Sequence, residues 1–147
     1  MTDHRRNRLR WRPWMPMLAF VCVACPQRTA IWVMPGSSAE HLVFGVSDEI
    51  GGAQSVDFTL LHVYRCDGQS MGPAGTVWMV EPVRNRSPYP TRIAYGETPE
   101  GYRTSAGPVP LTAGCYYARI VGTGQTKFLV REDGSVVESP PTSLDRH

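Results

Sequence analysis

Val56-Asp-Phe-Thr-Leu-Leu-His-Val-Tyr-Arg-Cys66 is the stretch whose reading decides the fold. Val56, Phe58, Leu60, His62, Tyr64 and Cys66 alternate with Asp57, Thr59, Leu61, Val63 and Arg65. A period of two is the mark of a β-strand, in which successive side chains point to opposite faces. The first set is mostly apolar, so it is expected to face the core. That places His62 between two sheets.

The same alternation continues on both sides of this stretch. Strands are expected at 29–34 and 41–46 before it, and at 76–81, 92–95, 115–121, 126–131 and 135–138 after it. Pro35-Gly36, Gly122-Thr-Gly124 and Asp133-Gly134 punctuate them as turns. Gly 14 and Pro 13 in 147 residues fit many short elements joined by turns. No amphipathic helix longer than a turn or two is legible. The expected fold is therefore all-β, a sandwich of seven to eight short strands over residues 25–138. The tail 139–147 carries no pattern and is expected to fray.

Charge is distributed unevenly. Residues 1–12 hold five Arg against Asp3, whereas residues 25–147 hold nine Arg and one Lys against twelve acids. The basic excess is a tag on a mildly acidic body, which excludes a chain-wide nucleic-acid footprint. Behind the basic head, Trp14-Met-Pro-Met-Leu-Ala-Phe-Val-Cys-Val-Ala-Cys25 is a 12-residue apolar run. A spanning helix needs about 20 residues. A basic head before a short apolar run is the pattern of a secretory signal, here residues 1–24.

Val23-Ala24-Cys25 resembles the end of a bacterial lipobox, although Cys22 stands where an aliphatic residue is usual. The resemblance implies that Cys25 becomes the acylated first residue of the mature chain, attached to a membrane through lipid. Ordinary secretory cleavage after Cys22-Val-Ala24 is the competing expectation. Arg5-Arg6 also resembles a twin-arginine signal, but Arg8 stands where that pattern has an apolar residue.

Setting aside Cys22 and Cys25, Cys66 and Cys115 remain as one pair in an exported domain, and a disulfide is expected between them. The loop it would close, about 50 residues, corresponds to ~4 kcal/mol in the chain-entropy model. No C-x-x-C or H-x-x-x-H occurs, so neither a metal nor any other cofactor is expected.

Leu111-Thr-Ala-Gly-Cys-Tyr-Tyr117 resembles the turn into a late strand of fibronectin type III domains, which implies Tyr117 as the residue making a corner hydrogen bond. Cys66…Trp78…Cys115 resembles the immunoglobulin arrangement, which implies an inter-sheet disulfide beside a packed Trp. Gly114-Cys-Tyr116 resembles transthyretin-like carrier domains. All three imply an Ig-like sandwich, and none carries an activity.

No catalytic constellation is legible. His62 and Cys66 are four residues apart on one strand, ~13 Å, too far to act as a pair. Ser37, Ser38, Ser47 and Ser55 lie near His41, Asp48 and Glu49, but without a G-x-S-x-G motif. Asp48-Glu49 and Glu132-Asp133 are neighbours whose side chains diverge. Residues 82–110 hold six of the 13 prolines, interleaved with Tyr and Arg. Arg84, Arg86, Tyr89, Arg92 and Tyr102 are the expected partner-contact residues, since both types dominate binding hot spots. The function expected is an exported, lipid-anchored cell-envelope binding or structural module without catalytic activity. The alternatives are an accessory subunit contacting another envelope protein through 82–110, or a small secreted hydrolase.

Overall fold

The computed structural model describes residues 29–66, 75–83 and 89–139. The proposed signal, Cys25, Arg84, Arg86 and residues 140–147 lie outside the described residues. Nine strands and no helix form among the described residues. They are β1 (Ala30–Val33), β2 (Val43–Ser47), β3 (Leu61–Arg65), β4 (Thr76–Pro82), β5 (Arg92–Ala94), β6 (Tyr102–Ala106), β7 (Gly114–Ile120), β8 (Gly124–Val130) and β9 (Val136–Glu138). One sheet has the order β1-β2-β5, the other β6-β4-β3-β7-β8-β9, and every pairing is antiparallel. The chain is a β-sandwich.

The core lies between the sheets. Phe44 and Val46 of β2 and Ile93 of β5 meet Val63, Trp78, Val80, Ile120 and Phe128 from the larger sheet. Phe44 and Phe128 meet edge to face with ring centroids 5.8 Å apart, and Tyr116 stacks on Phe128 at 5.5 Å. Trp78, expected as a packed residue, is fully buried and meets Tyr95 edge to face at 5.1 Å. Burial pushes the Tyr95 phenol up to about 12, so it stays a neutral donor to the Val109 carbonyl, 2.6 Å away.

Local chemistry explains the joints. Gly45 stands opposite Trp32, and a Cβ there would overlap the indole, so the glycine lets Trp32 lie flat across β2. Gly134 takes φ 79° in the β8–β9 hairpin, where Asp133 Oδ1 accepts from the Ser135 amide at 2.9 Å. The Glu138 carboxylate accepts from the Val33 amide at 3.2 Å and from the Thr126 hydroxyl. One side chain on β9 thus ties the free edge of β1 to the larger sheet.

Several expectations are corrected. The strand expected at 56–66 is shorter, and its inward phase slips by one residue at the bend around Thr59. Val56 and Phe58 are buried, but the next inward residues are Leu61 and Val63, both fully buried. Leu60, His62 and Tyr64 compete with Leu61 and Val63 for the interior, and the purely aliphatic pair occupies it because it brings no polar atom that needs a partner. His62 therefore lies on the outer face of the larger sheet rather than between sheets.

The disulfide joins Cys66 and Cys115 with Cα atoms 5.3 Å apart. It runs between neighbouring strands of one sheet, where the Cys66 amide donates to the Cys115 carbonyl at 2.9 Å, and not between the sheets. The corner hydrogen bond is made by Tyr116 instead of Tyr117. The Tyr116 hydroxyl donates to the Thr112 carbonyl at 2.9 Å and accepts from the Thr112 amide at 3.2 Å. Alternation along β7 turns Tyr116 inward with Ala118 and Ile120, which leaves Tyr117 outside. β6 raises the strand count beyond the seven or eight expected. The ladder also takes in the first residue of the expected tail, since the Ser139 amide donates to the Lys127 carbonyl at 2.8 Å.

Candidate functional site

The outer face of the larger sheet is built by the residues that alternation turns away from the core. Register places His62 beside Arg119, and Arg119 beside Gln125. The next row runs Tyr64, Tyr117, Lys127. All six stand on the three central strands β3, β7 and β8, where pairing on both sides holds the backbone rigid. Tyr64 stacks on Tyr117 with centroids 5.5 Å apart, and the Lys127 ammonium lies 5.8 Å from the Tyr117 centroid. Cross-strand aromatic pairs and a cation over a ring both stabilise such a row. The Tyr64 hydroxyl donates to Gln125 Oε1 at 3.4 Å.

His62 sits beneath this row. Although on the outer face, it is only 6% exposed, covered by Tyr64 at 4.9 Å between centroids. Its Nε2 is hydrogen-bonded to the Thr76 hydroxyl at 2.8 Å. Burial first, and repulsion from Arg119 second, hold its pKa below the ordinary imidazole value. Burial likewise pushes the Tyr64 phenol up, with Arg119 opposing. The face thus carries a hydrogen-bonding aromatic strip beside two cations, Lys127 in the same row and Arg119 in the next. Leu129 and Val137, 43% and 37% exposed, continue the face beyond the Cys115 position.

Two shallow depressions flank the strands' ends. A groove of about 600 Å³ at the β7–β8 turn is lined by Thr29, Ile50, Arg119, Gly122 and Gln125, so it opens directly from the strip. Another of about 550 Å³ at the opposite end of β8 is lined by Ser37, Glu40, Leu111, Asp133 and Ser135. In the second, the Ser37 hydroxyl donates to the Met34 carbonyl at 2.7 Å and so serves a turn. The hydroxyl and amide of Ser135 hold Asp133 below the usual carboxylate range. The Ser47 hydroxyl lies 2.9 Å from both the Gln54 carbonyl and Asp48 Oδ1, and the Ser55 hydroxyl donates to the Tyr89 carbonyl. Among the described residues no three His, Cys, Asp or Glu side chains come together as metal ligands.

Of the expected contact residues of 82–110, the three described ones, Tyr89, Arg92 and Tyr102, do not share one surface. Arg84 and Arg86 lie outside the described residues. Tyr89 is half-buried in a connection, and Arg92 is exposed on β5, in the smaller sheet. Tyr102 belongs to the core: it is buried and stacks on Phe58 at 5.0 Å. Within this proline-rich segment Tyr102-Arg-Thr-Ser-Ala106 forms β6 although it carries little apolar alternation. An edge strand pairs on one side only and tolerates polar residues on its outer positions. Sequence reasoning missed the Tyr64–Tyr117–Lys127 row altogether. Its signal was present in the alternation of β7 and β8 but required the correct phase of β3.

A scan against protein-family models, a search of curated proteins and a search of solved structures each returned no match.

Proposed function

We propose that the chain is an exported module of the cell envelope, held to a membrane through an acylated Cys25, which binds a partner through the outer face of its larger sheet and has no catalytic role. The observation that carries the binding part is the strip of Tyr64, Tyr117, Lys127, Arg119 and Gln125 on the most rigid part of the fold. A flat row of aromatic and cationic side chains suits an extended partner better than an enclosed small molecule. Of the serines considered for hydrolysis, Ser37 and Ser55 donate to backbone carbonyls, and Ser47 bonds the Gln54 carbonyl and the carboxylate of its neighbour Asp48, so these hydroxyls are engaged in holding turns and connections. The anchoring part rests on the basic head, the apolar run and Val23-Ala-Cys25.

The test uses cells expressing the full chain. Wild type is expected in the membrane fraction, and Cys25→Ser is expected to be released or left unprocessed. Tyr117→Ala with Lys127→Glu is expected to leave anchoring close to wild type and the domain folded, at a melting temperature lowered by several degrees through loss of the stacking and cation–ring contacts, while weakening cross-linking to the native partner at least tenfold. Undiminished cross-linking contradicts the binding face, and wild type found soluble outside the cell contradicts the anchor.

A further inference from the structure

The start of β1 fixes which end of the sandwich would meet the lipid. Only Pro26, Gln27 and Arg28 separate Cys25 from Thr29, which is already buried in the fold. Four residue steps span at most ~14 Å even when fully extended. Thr29 lies against Gly124, where a Cβ would overlap its carbonyl oxygen, so it is seated beside the β7–β8 turn. That turn, Thr29 and Ile50 line the same groove. Ile50 is 70% exposed, more than any other large apolar side chain described, and Val121 in the turn is 42% exposed. Two exposed aliphatic side chains thus stand at the end of the sandwich from which an anchored Cys25 would be reached.

We infer that this end of the sandwich is a lipid-docking surface: Ile50 and the Val121 turn rest in the headgroup region of the bilayer that holds the acyl chains of Cys25. This rests on the anchoring proposed above. Two weak apolar contacts acquire weight because the anchor makes them intramolecular, at a high effective concentration of lipid surface. Asp48 and Glu49 precede Ile50 directly and are exposed. They limit the depth of insertion to the headgroups and remove any preference for anionic lipid. The strands then stand away from the membrane, and the strip of Tyr64, Tyr117 and Lys127 faces sideways into the envelope.

Nitroxide labels test this on the mature, full-length protein reconstituted in phosphatidylethanolamine–phosphatidylglycerol vesicles. With Cys25 acylated and Cys66 bonded to Cys115, a cysteine introduced as Ile50→Cys or Val121→Cys is the only free thiol. Glu40→Cys, in the depression at the far end of β8, is the control. Labels at 50 and 121 are expected to be relaxed by oxygen severalfold more, relative to an aqueous nickel chelate, than the label at 40. The mass of the N-terminal peptide is measured on the same samples. An acylated Cys25 with equal nickel accessibility at 50, 121 and 40 overturns the docking surface and leaves the anchor standing. A Cys25 without acyl chains overturns both.

Discussion

At the scale of single residues, His62 shows how a titratable group can be buried without being in the core. It lies on the outer face yet is covered by Tyr64, and its imidazole is committed to Thr76. Its pKa in the fold is below that of the unfolded chain, through burial and then Arg119. As pH falls below ~6.5 the unfolded chain takes up a proton that the folded chain refuses. The contribution of His62 to stability is therefore complete above that pH and declines as pH falls toward the folded pKa. Melting temperature measured from pH 8 to 5 should fall more steeply for wild type than for His62→Gln. Parallel curves would contradict this account. Tyr116 and Tyr117 form a second contrast. Tyr116→Phe removes the hydroxyl that both donates to and accepts from Thr112, and should cost about 1–2 kcal/mol in urea unfolding. Tyr117→Phe keeps the ring that stacks on Tyr64 and should stay within ~0.5 kcal/mol of wild type.

At the scale of elements, alternation made the all-β class and most strand positions legible. What escaped was phase and pairing. Over residues 60–64 both faces carry apolar side chains, so periodicity alone cannot say which turns inward. The bend at Thr59 decides it, and with it the side on which His62 and Tyr64 emerge. β6 escaped because an edge strand needs no apolar stripe beyond Tyr102, and a Tyr amid prolines and Arg fits a contact surface as well as a core. The disulfide pairing was legible from cysteine number, but its placement within one sheet was not. Strand order depends on contacts between distant segments, such as β3 with β7, that no local pattern encodes. The candidate strip is a product of that order. Tyr64 and Tyr117 are far apart in sequence and become neighbours only because β3 and β7 pair.

At the scale of the whole molecule, the smaller sheet covers the larger through Phe44, Val46 and Ile93, while Glu138 ties the edge strand β1 to the larger sheet and the disulfide clamps the ends of the central strands β3 and β7. The cystine closes a loop with a sequence separation of 49, which restricts the unfolded chain. Replacing both cysteines by Ala should lower stability by ~2–5 kcal/mol. Tyr64–Tyr117 stacking should be retained in whatever fraction folds, because the β3–β7 ladder does not depend on the bond. Calorimetry and the denaturant midpoint of the double variant check the size of the effect, and an unchanged midpoint contradicts it.

The central claim is that this sandwich is delivered across a membrane and kept on it by its first mature residue. Mass spectrometry of the N-terminal peptide from protein purified out of the producing cell tests it most directly. The account predicts a peptide that begins at Cys25 and carries the mass of covalent acyl chains. A peptide beginning at Met1, or one beginning at or after Cys25 without added lipid mass, contradicts it.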